Sequence, residues 1–377
     1  MQAVFSNIFR KQKSASSYTL PRLPFALEIE SRIVLKKSND ASRALAELKG
    51  FCATIPNQII LLNTLSLQEA KDSSAIENII TTHDELYQSD VRAGVFASLA
   101  AKEVHCYASA LRDGFEEVKA TGLLTNNLIL RIQEQIEGNK AGFRTQAGTA
   151  LKNEQTGEII YTPPQEKDAI LRYMGNLQDF INTPELCDWD PLIKMAVIHH
   201  QFESIHPFFD GNGRTGRIIN ILYLVQQGLL DTPVLYLSRY INQNKGEYYR
   251  LLQAVREQNS WEEWLLFMLE GIYLSADQVT GLIKDMRTLL FEYKNKLRNQ
   301  KPKVYSQDLL NNLFSHPYTK IAFLESALQI HRNTAARYLD ELVDIGLMTK
   351  HKIGKENFYL NDALFELLHN VGARPLT

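Results

Sequence analysis

The twelve residues HPFFDGNGRTGR, His206 to Arg217, bring three glycines together with two arginines, an aspartate and a histidine. Glycine admits backbone conformations that other residues avoid, and it lets a backbone approach a ligand closely. Apolar stretches with helical periodicity lie on both sides, PLIKMAVIHHQFESI before the segment and RTGRIINILYLVQQGLL overlapping its end. We therefore expect a glycine-rich loop that leads into a helix N-terminus, where free amide groups and the helix dipole favour a bound anion.

The charged residues of this segment suit a polyphosphate. Arg214 and Arg217 are three residues apart, so their side chains lie on nearly the same face of the first helical turn. Two guanidinium groups bind a polyphosphate better than they bind a single carboxylate. Asp210 directly precedes the glycines and could hold Mg²⁺, which takes one or two protein carboxylates and keeps most of its waters. His206 could remove a proton at neutral pH.

A dinucleotide-binding fold is a rival interpretation of the same letters. The hexapeptide GNGRTG satisfies the pattern GxGxxG, and Asp231 follows about twenty residues later, as that fold requires. However, the preceding segment is helical and is followed by Pro207 rather than ending a buried strand. The interval from Gly228 to Asp231 leaves no room for a second strand. The P-loop pattern GxxxxGK[ST] does not occur in the chain.

A zinc site is the second rival, and a purely structural turn is the third. His199, His200 and His206 are close in sequence, but adjacent residues of a helix point about a hundred degrees apart. Neither a thiolate nor an HExxH pattern accompanies them. We expect His199 and His200 either to pack in the core or to support the residues of the site. A tight Asn-Gly turn with surface arginines is the interpretation that assigns the segment no function.

The composition is that of a globular protein without a bias toward nucleic acid or membrane. The 377 residues are 45% hydrophobic and 22% charged with a net charge of −2, and they suffice for about two or three domains. Cys52, Cys106 and Cys187 form no CxxC pair, which is typical of reduced thiols in a cytosolic protein. No apolar run is long enough to cross a bilayer, and the N-terminus lacks the apolar block of a signal peptide. We expect a cytoplasmic protein with no membrane partner.

Most of the chain carries helical periodicity, with one interruption and a distinct C-terminal segment. Residues 142–168 mix glycine, threonine and proline and predict a short hairpin with a turn at Gln155–Gly157. Residues 248–272 predict two helices, and an amphipathic stretch leads from 275 to a polar linker, RNQKPKVYS. The C-terminal segment, residues 320–361, predicts a helix, a turn, a helix and a small hairpin.

The segment HPFFDGNGRTGR resembles the signature HxFx(D/E)GNGRxxR of the Fic family and matches it at every fixed position. The flanking helices, the hairpin region and the C-terminal segment are also similar to that family, over most of residues 40–377. The resemblance implies a mainly α fold, in which a Fic (Fido) helical core carries a β-hairpin flap and a winged helix-turn-helix module follows. The expected domains are an N-terminal helical region at 1–115, the Fic core at 116–295 and the winged helix at 296–377.

The resemblance also implies a reaction, the transfer of AMP from ATP to a Ser, Thr or Tyr hydroxyl of a protein, including the enzyme itself, with release of pyrophosphate. His206 would be the general base and Asp210 would hold Mg²⁺. Arg214 and Arg217 would bind the β- and γ-phosphates, Asn212 and the loop amides would bind the phosphates, and Tyr249 would lie near the nucleoside. The residues expected to bind ATP are Gly211, Asn212, Gly213, Arg214, Thr215, Gly216, Arg217 and Tyr249. The flap edge Gly148, Thr149, Ala150 and Leu151 would align the target by strand addition. Phe208 has no chemistry to offer and is expected to anchor the loop in the core.

A second pattern of the family occurs near residue 73. The stretch SSAIENI reads as a piece of helix by itself, but it matches the inhibitory pattern (S/T)xxxE(G/N) through Ser73, Glu77 and Asn78. A glutamate paired with Arg217 would occupy the position of the γ-phosphate and leave ATP bound out of line, which is costly for displacement. The resemblance therefore implies an enzyme that restrains itself, of the type with an N-terminal inhibitory helix.

The C-terminal module leaves its partner open. Residues 301–377 contain nine Lys or Arg and eight Asp or Glu, a net charge of about +1, so the electrostatic support for DNA binding is weak. A DNA footprint would use residues of its second helix and hairpin: Arg332, Asn333, Thr334, Arg337, Lys350, Lys352 and Lys355. Winged helices also serve as protein-docking or dimer modules, so a homodimer is a further expectation. Three alternatives to AMP transfer remain: removal of AMP, transfer of another nucleotide or a phosphate, and nucleotide sensing by a DNA-binding regulator.

Overall fold

The computed structural model describes residues 18–91, 96–152, 156–353 and 356–373, and these form a mainly helical protein with two small antiparallel sheets. The strands are β1 (Leu151–Lys152), β2 (Ile159–Tyr161), β3 (Tyr318–Thr319), β4 (Thr349–Ile353) and β5 (Glu356–Leu360). The helices are α1 (Arg32–Cys52), α2 (Ile59–Ile76), α3 (His83–Val91), α4 (Leu99–Thr121), α5 (Asn126–Glu137), α6 (Lys167–Asn182), α7 (Pro191–Ile205), α8 (Asn212–Gln226), α9 (Leu237–Gln243), α10 (Lys245–Gln258), α11 (Trp261–Gln300), α12 (Gln307–Ser315), α13 (Ile321–Leu328), α14 (Arg332–Asp344) and α15 (Asp362–Ala373). The predicted mainly α fold class is confirmed.

Local capping explains several helix ends. The Ser98 and Thr125 hydroxyls accept hydrogen bonds from backbone N–H groups of the first turns of α4 and α5. Gly122 and Gly138 end the same two helices in the left-handed conformation, at φ of 71° and 66°.

Helix α7 lies at the centre of the fold, and every residue from 192 to 205 is buried. It packs against α8, α6 and α11, and Trp264 of α11 donates its indole N–H to the Ala196 carbonyl at 2.9 Å. Its two histidines contact protein groups: His199 Nε2 lies 2.8 Å from the Tyr248 hydroxyl and His200 Nε2 lies 3.2 Å from the Leu252 carbonyl, while no described residue bonds His200 Nδ1. Their predicted packing role is confirmed.

Helix α11 runs for forty residues and joins segments that the sequence analysis treated separately. The stretch from residue 275 continues the helix that begins at Trp261, and the first three residues of the predicted polar linker, 298–300, lie in its last turn. The prediction of a linker there is wrong for those residues, because no proline interrupts the helix before Pro302 and a helix tolerates isolated glycines at a modest cost. The expected boundaries at 115/116 and 295/296 fall inside α4 and α11.

The predicted hairpin is present as β1 and β2, which pair antiparallel with Leu151 opposite Tyr161. The Tyr161 hydroxyl donates a hydrogen bond to the Ser204 carbonyl at 2.8 Å and so fastens the hairpin to α7. Gln155, part of the predicted turn, lies outside the described residues.

The C-terminal segment contains the predicted helix pair, α13 and α14, followed by the β4–β5 hairpin. Strand β3 adds to this hairpin and gives the order β3-β5-β4, while α12 and α15 were not predicted. The segment packs against α11 and also against α2 and α3: His369 Nδ1 lies 3.0 Å from His83 Nδ1, and the Tyr318 hydroxyl donates to Asp84. The C-terminal segment is thus in contact with the N-terminal helices.

Among the helices of the described residues, we find none whose length and apolar character would suffice to cross a membrane.

Candidate active site

Residues 206–211 form a loop between the buried helices α7 and α8, and residues 212–217 form the start of α8. His206 ends α7 in the left-handed conformation at φ 48°, and Gly211 at φ 79° immediately precedes α8. Helix α8 begins at Asn212, two residues earlier than the sequence suggested. Because the first N–H groups of a helix have no partner within it, the amides of Asn212, Gly213 and Arg214 are directed out of the helix start. The predicted anion-binding geometry is therefore present.

The side chain of Asn212 holds the loop closed. Its Oδ1 accepts from the Phe208 N–H and its Nδ2 donates to the Phe208 carbonyl, both at 2.9 Å. The Asn212 side chain is therefore bonded within the loop. Its backbone amide, rather than its side chain, is left for the predicted phosphate contact. Phe208 is fully buried and its ring packs near Phe143 and Phe202. Its predicted role as the core anchor of the loop is confirmed.

Arg217 is bound by the segment that carries the inhibitory pattern. Its Nη2 lies 2.8 Å from Glu77 Oε1, and its guanidinium also donates to the Ser73 hydroxyl and carbonyl at 2.8 and 3.0 Å. The Arg217 side chain is 2% exposed and that of Glu77 is 34% exposed. Burial alone would raise the pKa of Glu77, but the charge and hydrogen bond of Arg217, with Arg214 and Lys245 nearby, hold that pKa below its usual value.

Other residues of the inhibitory pattern and of the glycine-rich loop lie near the Glu77–Arg217 ion pair. Asn78 adopts φ 62°, and its side chain accepts from Lys245 Nζ at 3.4 Å. A Cβ on Gly213 would collide with Glu77 Oε1, so glycine at this position makes room for the carboxylate. The Thr215 side chain is fully buried, and no described residue bonds its hydroxyl.

Arg214 is held by two carboxylates that the sequence analysis missed. Its Nη1 lies 3.0 Å from Glu103 Oε2 of α4, and its Nη2 lies 2.6 Å from Glu137 Oε1 of α5. Burial is the largest cause that raises the pKa of Glu137, and the Arg214 charge opposes it. Neither glutamate carries a local sequence signal, because both come from helices distant in the chain.

His206 is poised as a neutral base. Burial, followed by the charges of Arg144 and Arg256, lowers its pKa to about 4, so the imidazole is neutral at pH 7. No described residue bonds Nδ1 of this ring. Arg144, which the sequence analysis did not identify, is buried and donates Nε–H to the His206 carbonyl at 2.8 Å, which fixes the loop entry.

Three cavities of the described residues are lined by predicted site residues. One of about 470 Å³ is lined by Glu77, Asp210 and Arg214, together with Glu103 and Glu137. The second, of about 160 Å³, is lined by Glu77, His206, Phe209 and the loop from Asp210 to Arg214. The third, of about 580 Å³, is lined by the flap residues Ala150 and Leu151, by Tyr249, and by Glu203 and Arg256. The structure therefore places the predicted base, metal ligand and phosphate loop together, and places Tyr249 with the flap.

The outer part of the flap edge is already bonded within the chain. The Gly148 N–H donates to Gln165 Oε1 at 2.7 Å, and the Thr149 carbonyl accepts from Gln165 Nε2 at 3.0 Å. Among the four predicted docking residues only Leu151 lies in a strand. Gly216, a predicted ligand-binding residue, lies where α8 approaches α7: a Cβ there would be 2.9 Å from Glu203 Oε1.

Within the described part of the chain, no group of three or more His, Cys, Asp or Glu side chains could hold a metal ion. A three-ligand zinc site is therefore not formed by these residues. Asp210 is exposed, and its Oδ1 accepts from the Gly211 N–H at 2.8 Å. A single exposed carboxylate beside an anion-binding loop is sufficient for Mg²⁺, which draws its other ligands from phosphates and water.

Comparison with known proteins agrees with this architecture. Residues 35–116 match the Fic/DOC family N-terminal region, residues 123–224 match the Fic/DOC family, and residues 289–364 match the C-terminal domain of protein adenylyltransferase SoFic-like. A probable protein adenylyltransferase of Aquifex aeolicus is 28% identical over 186 residues, 48% of this chain and 54% of that protein. The protein adenylyltransferase Fic of Aedes aegypti is 29% identical over 37% of this chain and 26% of that protein. The chain thus matches about half of the Aquifex protein's length and less of the Aedes protein.

Solved structures share the fold. A Fic family protein from Desulfovibrio desulfuricans G20 superposes with a TM-score of 0.56 at 18% identity, over 89% of this chain and 97% of that chain. Fic-1 from C. elegans gives a TM-score of 0.53 at 19% identity, over 67% of this chain and 74% of that chain. With the complete HxFx(D/E)GNGRxxR signature placed at the start of α8, this chain contains the N-terminal and core domains of the Fic/DOC family, followed by a SoFic-like C-terminal domain.

Proposed function

We propose that the protein is an adenylyltransferase that moves AMP from Mg²⁺-bound ATP to a hydroxyl side chain of a protein, with release of pyrophosphate. One observation carries the proposal: the neutral imidazole of His206 and the free amides at the start of α8 line the same cavity. A proton acceptor beside an anion-binding backbone is what nucleophilic attack on a phosphate needs. The names of the Aquifex and Aedes relatives support the same reaction.

The steps follow from the placement of these groups. His206 accepts the proton of the target hydroxyl, and the resulting oxygen nucleophile forms a bond to the α-phosphorus of ATP. The bond from that phosphorus to the bridging oxygen breaks, and pyrophosphate leaves with the bonding electrons. The amides of Gly213 and its neighbours stabilise the negative charge that shifts onto the phosphate oxygens. Asp210 would hold Mg²⁺, which neutralises phosphate charge when it is bound.

We infer that Glu77 restrains this reaction. The γ-phosphate would use Arg217, but that guanidinium is bound to Glu77 and Ser73. ATP that binds beside this pair would lack its arginine partner and would place the α-phosphorus poorly for in-line attack. The two carboxylates on Arg214 add to the restraint, since a phosphate must compete with them for the second guanidinium.

Intact mass spectrometry tests the transfer. Purified wild type, Glu77→Gly and His206→Ala would each be incubated with ATP and Mg²⁺ at matched concentrations. We expect one AMP unit per modified site, more in Glu77→Gly than in wild type, and none in His206→Ala. An external protein mixture with labelled ATP covers the case of a target other than the enzyme itself. A gain of phosphate mass, or equal labelling in His206→Ala, would contradict the proposal.

Removal of AMP is the second candidate function, because Glu77 and His206 line the same cavity. A carboxylate in that position could orient a water molecule toward a phosphodiester. His206, as a neutral imidazole, would accept the proton of that water and pass it to the oxygen of the leaving side chain. Incubating AMP-modified protein with wild type and with Glu77→Gly separates the two directions. Loss of AMP with wild type but not with Glu77→Gly supports removal through Glu77, and no loss with either protein supports transfer alone.

The partner is proposed to be a protein segment that adds a strand at the flap, beginning at Leu151 where the edge is not already bonded. For the C-terminal module we infer a winged helix that docks protein, with a second copy of the chain as the first partner to test. Two of its predicted DNA-contacting cations pair with carboxylates: Lys350 lies 2.7 Å from Asp340, and Arg337 lies 3.8 Å from Glu341. Lys355 lies outside the described residues. These pairs weaken the DNA reading, and a binding titration with random duplex at low salt tests it.

The three cysteines are unpaired, and Cys52 is buried. Free thiols are typical of proteins in a reducing compartment, which supports the proposal of a cytoplasmic location.

A further inference from the structure

Glu203 is a buried carboxylate that the proposed reaction does not use. It lies on α7 one turn before His206, and it is 8% exposed. It lines the cavity of about 580 Å³ together with the flap residue Leu151 and with Tyr249. A charged side chain is rarely buried without a partner, so its place in this cavity calls for an explanation.

The polar atoms of this cavity are incompletely satisfied by the protein. No described residue bonds Oε1 of Glu203, and none bonds Nη2 of Arg256, which lines the same cavity. The remaining nitrogens of Arg256 are engaged: Nε donates to the Ser204 hydroxyl at 3.0 Å and Nη1 to Gln253 Oε1 at 3.4 Å. Buried polar atoms without partners are uncommon in folded proteins, and a ligand that enters the cavity would supply the missing bonds.

The position of Glu203 indicates which part of a nucleotide it would meet. Its Oε1 lies 2.9 Å from the point that a Cβ on Gly216 would occupy, and Gly216 directly precedes the phosphate-binding Arg217. The carboxylate is therefore next to the first turn of α8, where the phosphate loop adjoins the nucleoside cavity. The ribose is the part of a nucleotide bonded directly to the α-phosphate. The base would lie farther out in the same cavity, which Leu151 and Leu252 also line.

The chemistry of the two groups is complementary. An ionised carboxylate only accepts hydrogen bonds, and the vicinal hydroxyls of ribose can donate two. Such charge-assisted bonds are about twice as strong as neutral ones. An acidic residue on the ribose hydroxyls is also how dinucleotide-binding folds hold their ligand, so the chemistry has a precedent on an unrelated scaffold.

We propose that Glu203 binds the ribose hydroxyls of the nucleotide and thereby makes the site selective for ribonucleotides over deoxyribonucleotides. The inference rests on the proposed use of ATP, and it assigns to this chain a specificity residue one helical turn from the base His206.

Direct binding measures the proposal without any transfer step. Dissociation constants for ATP, 2′-deoxyATP and 3′-deoxyATP with Mg²⁺ would be determined by calorimetry in a Glu77→Gly, His206→Ala background, in which the competing carboxylate and the base are both absent. We expect ATP to bind about tenfold more tightly than the deoxy analogues, as one charge-assisted hydrogen bond is worth about 1.5 kcal/mol or more. Adding Glu203→Gln should reduce this ratio to less than about threefold. Adding Glu116→Gln, the same substitution at an exposed glutamate of α4 that does not line the cavity, should leave it unchanged.

The pH dependence gives a second readout that needs no substitution at Glu203. Burial raises the pKa of Glu203 to about 7; Arg217 and Arg256 oppose this, and Glu77 adds to it. Because the ionised form accepts the ribose bonds, selectivity should be greatest above pH 7 and should decline below it. In Glu203→Gln it should be independent of pH. The variant is expected to fold, because the fold disfavours the buried charge that the substitution removes.

The outcomes are distinct. Equal ATP and deoxyATP affinities in the parent background, or a ratio that survives Glu203→Gln and does not vary with pH, would overturn the assignment. A selective site in a protein that transfers no AMP would remove the proposed function and retain this inference. AMP transfer at equal rates from ATP and from the deoxy analogues would retain the proposed function and remove this inference.

Discussion

Substituting Glu77 by glycine should accelerate AMP transfer and should also lower the stability of the nucleotide-free protein against unfolding. The carboxylate is bonded to Arg217 at 2.8 Å, and the guanidinium is almost fully buried while Glu77 is one-third exposed. A hydrogen bond between charged groups contributes about 1.5–3 kcal/mol. Solvent screening at the exposed partner places this pair toward the lower end, about 2 kcal/mol. Released to a γ-phosphate, that free energy corresponds to roughly thirtyfold tighter productive binding of ATP.

The stability effect has the opposite sign because Arg217 stays buried when its partner is removed. It keeps the two bonds to Ser73, so we expect the loss to be only part of the pair's contribution, about 1–2 kcal/mol, and a Tm lower by a few degrees. Saturating ATP with Mg²⁺ should restore most of the difference, since phosphate replaces the lost carboxylate. Recovery of the Tm on addition of ATP distinguishes the loss of an inhibitory carboxylate, which phosphate can replace, from a general destabilisation of the fold.

The assay is single-turnover AMP transfer with matched ATP and Mg²⁺, together with thermal unfolding with and without nucleotide. Glu77→Gln is the matched control, because it retains the size of the side chain and removes its charge. It should fall between wild type and Glu77→Gly. The folded-state pKa of Glu77 lies below its unfolded value, so its contribution to stability is present above the unfolded pKa and is lost as pH falls through the folded one. Equal transfer rates for wild type and Glu77→Gly, at equal occupancy of ATP, would refute the reasoning.

The other predictions concern the loop, the long helix and the base. Asn212→Ala removes both side-chain bonds that close the loop, so it should lower the free energy of unfolding by about 2 kcal/mol and should lower transfer. Asn212→Asp keeps the acceptor for the Phe208 N–H but sets a buried carboxylate oxygen against the Phe208 carbonyl, so it should also destabilise the protein; wild-type stability of either variant by denaturant titration would contradict the role of this side chain. On α11, Gly271→Ala should destabilise the protein because its Cβ would lie 2.5 Å from the Tyr240 ring, while Gly281→Ala, with nothing within 4 Å, should stabilise it by up to about 1 kcal/mol; thermal unfolding of the pair tests the packing, and the same sign for both would count against it. Burial and nearby arginines lower the pKa of His206 to about 4, so the base should stay neutral well below pH 6. The pH profile of kcat/KM should be measured in Glu203→Gln, where Glu203 no longer titrates. Its acid limb should lie near pH 4 rather than 6.5.

Much of the fold could be predicted from the sequence because its signals are local. The apolar periodicity and the proline at the first turn of 191–205 place α7, and the glycine after 126–137 ends α5. The prediction was wrong where packing between distant segments, rather than the local sequence, decided how far a helix extends. The 275–297 stretch appeared separate, yet it continues α11, because α1 packs along that helix and nothing in the chain breaks it before Pro302.

The sequence by itself determined the anion-binding loop of the site. The glycines, Asp210, Arg214 and Arg217 are adjacent in the chain, so the conformation and helix start that they require are a local matter. Only the tertiary structure decided what surrounds them: Glu103 and Glu137 on Arg214, Arg144 beneath His206, and Glu203 facing the nucleoside cavity. Spacing along the chain does not report these contacts. Burial and long-range charge, which set the pKa values of His206 and Glu203, exist only once the helices have packed.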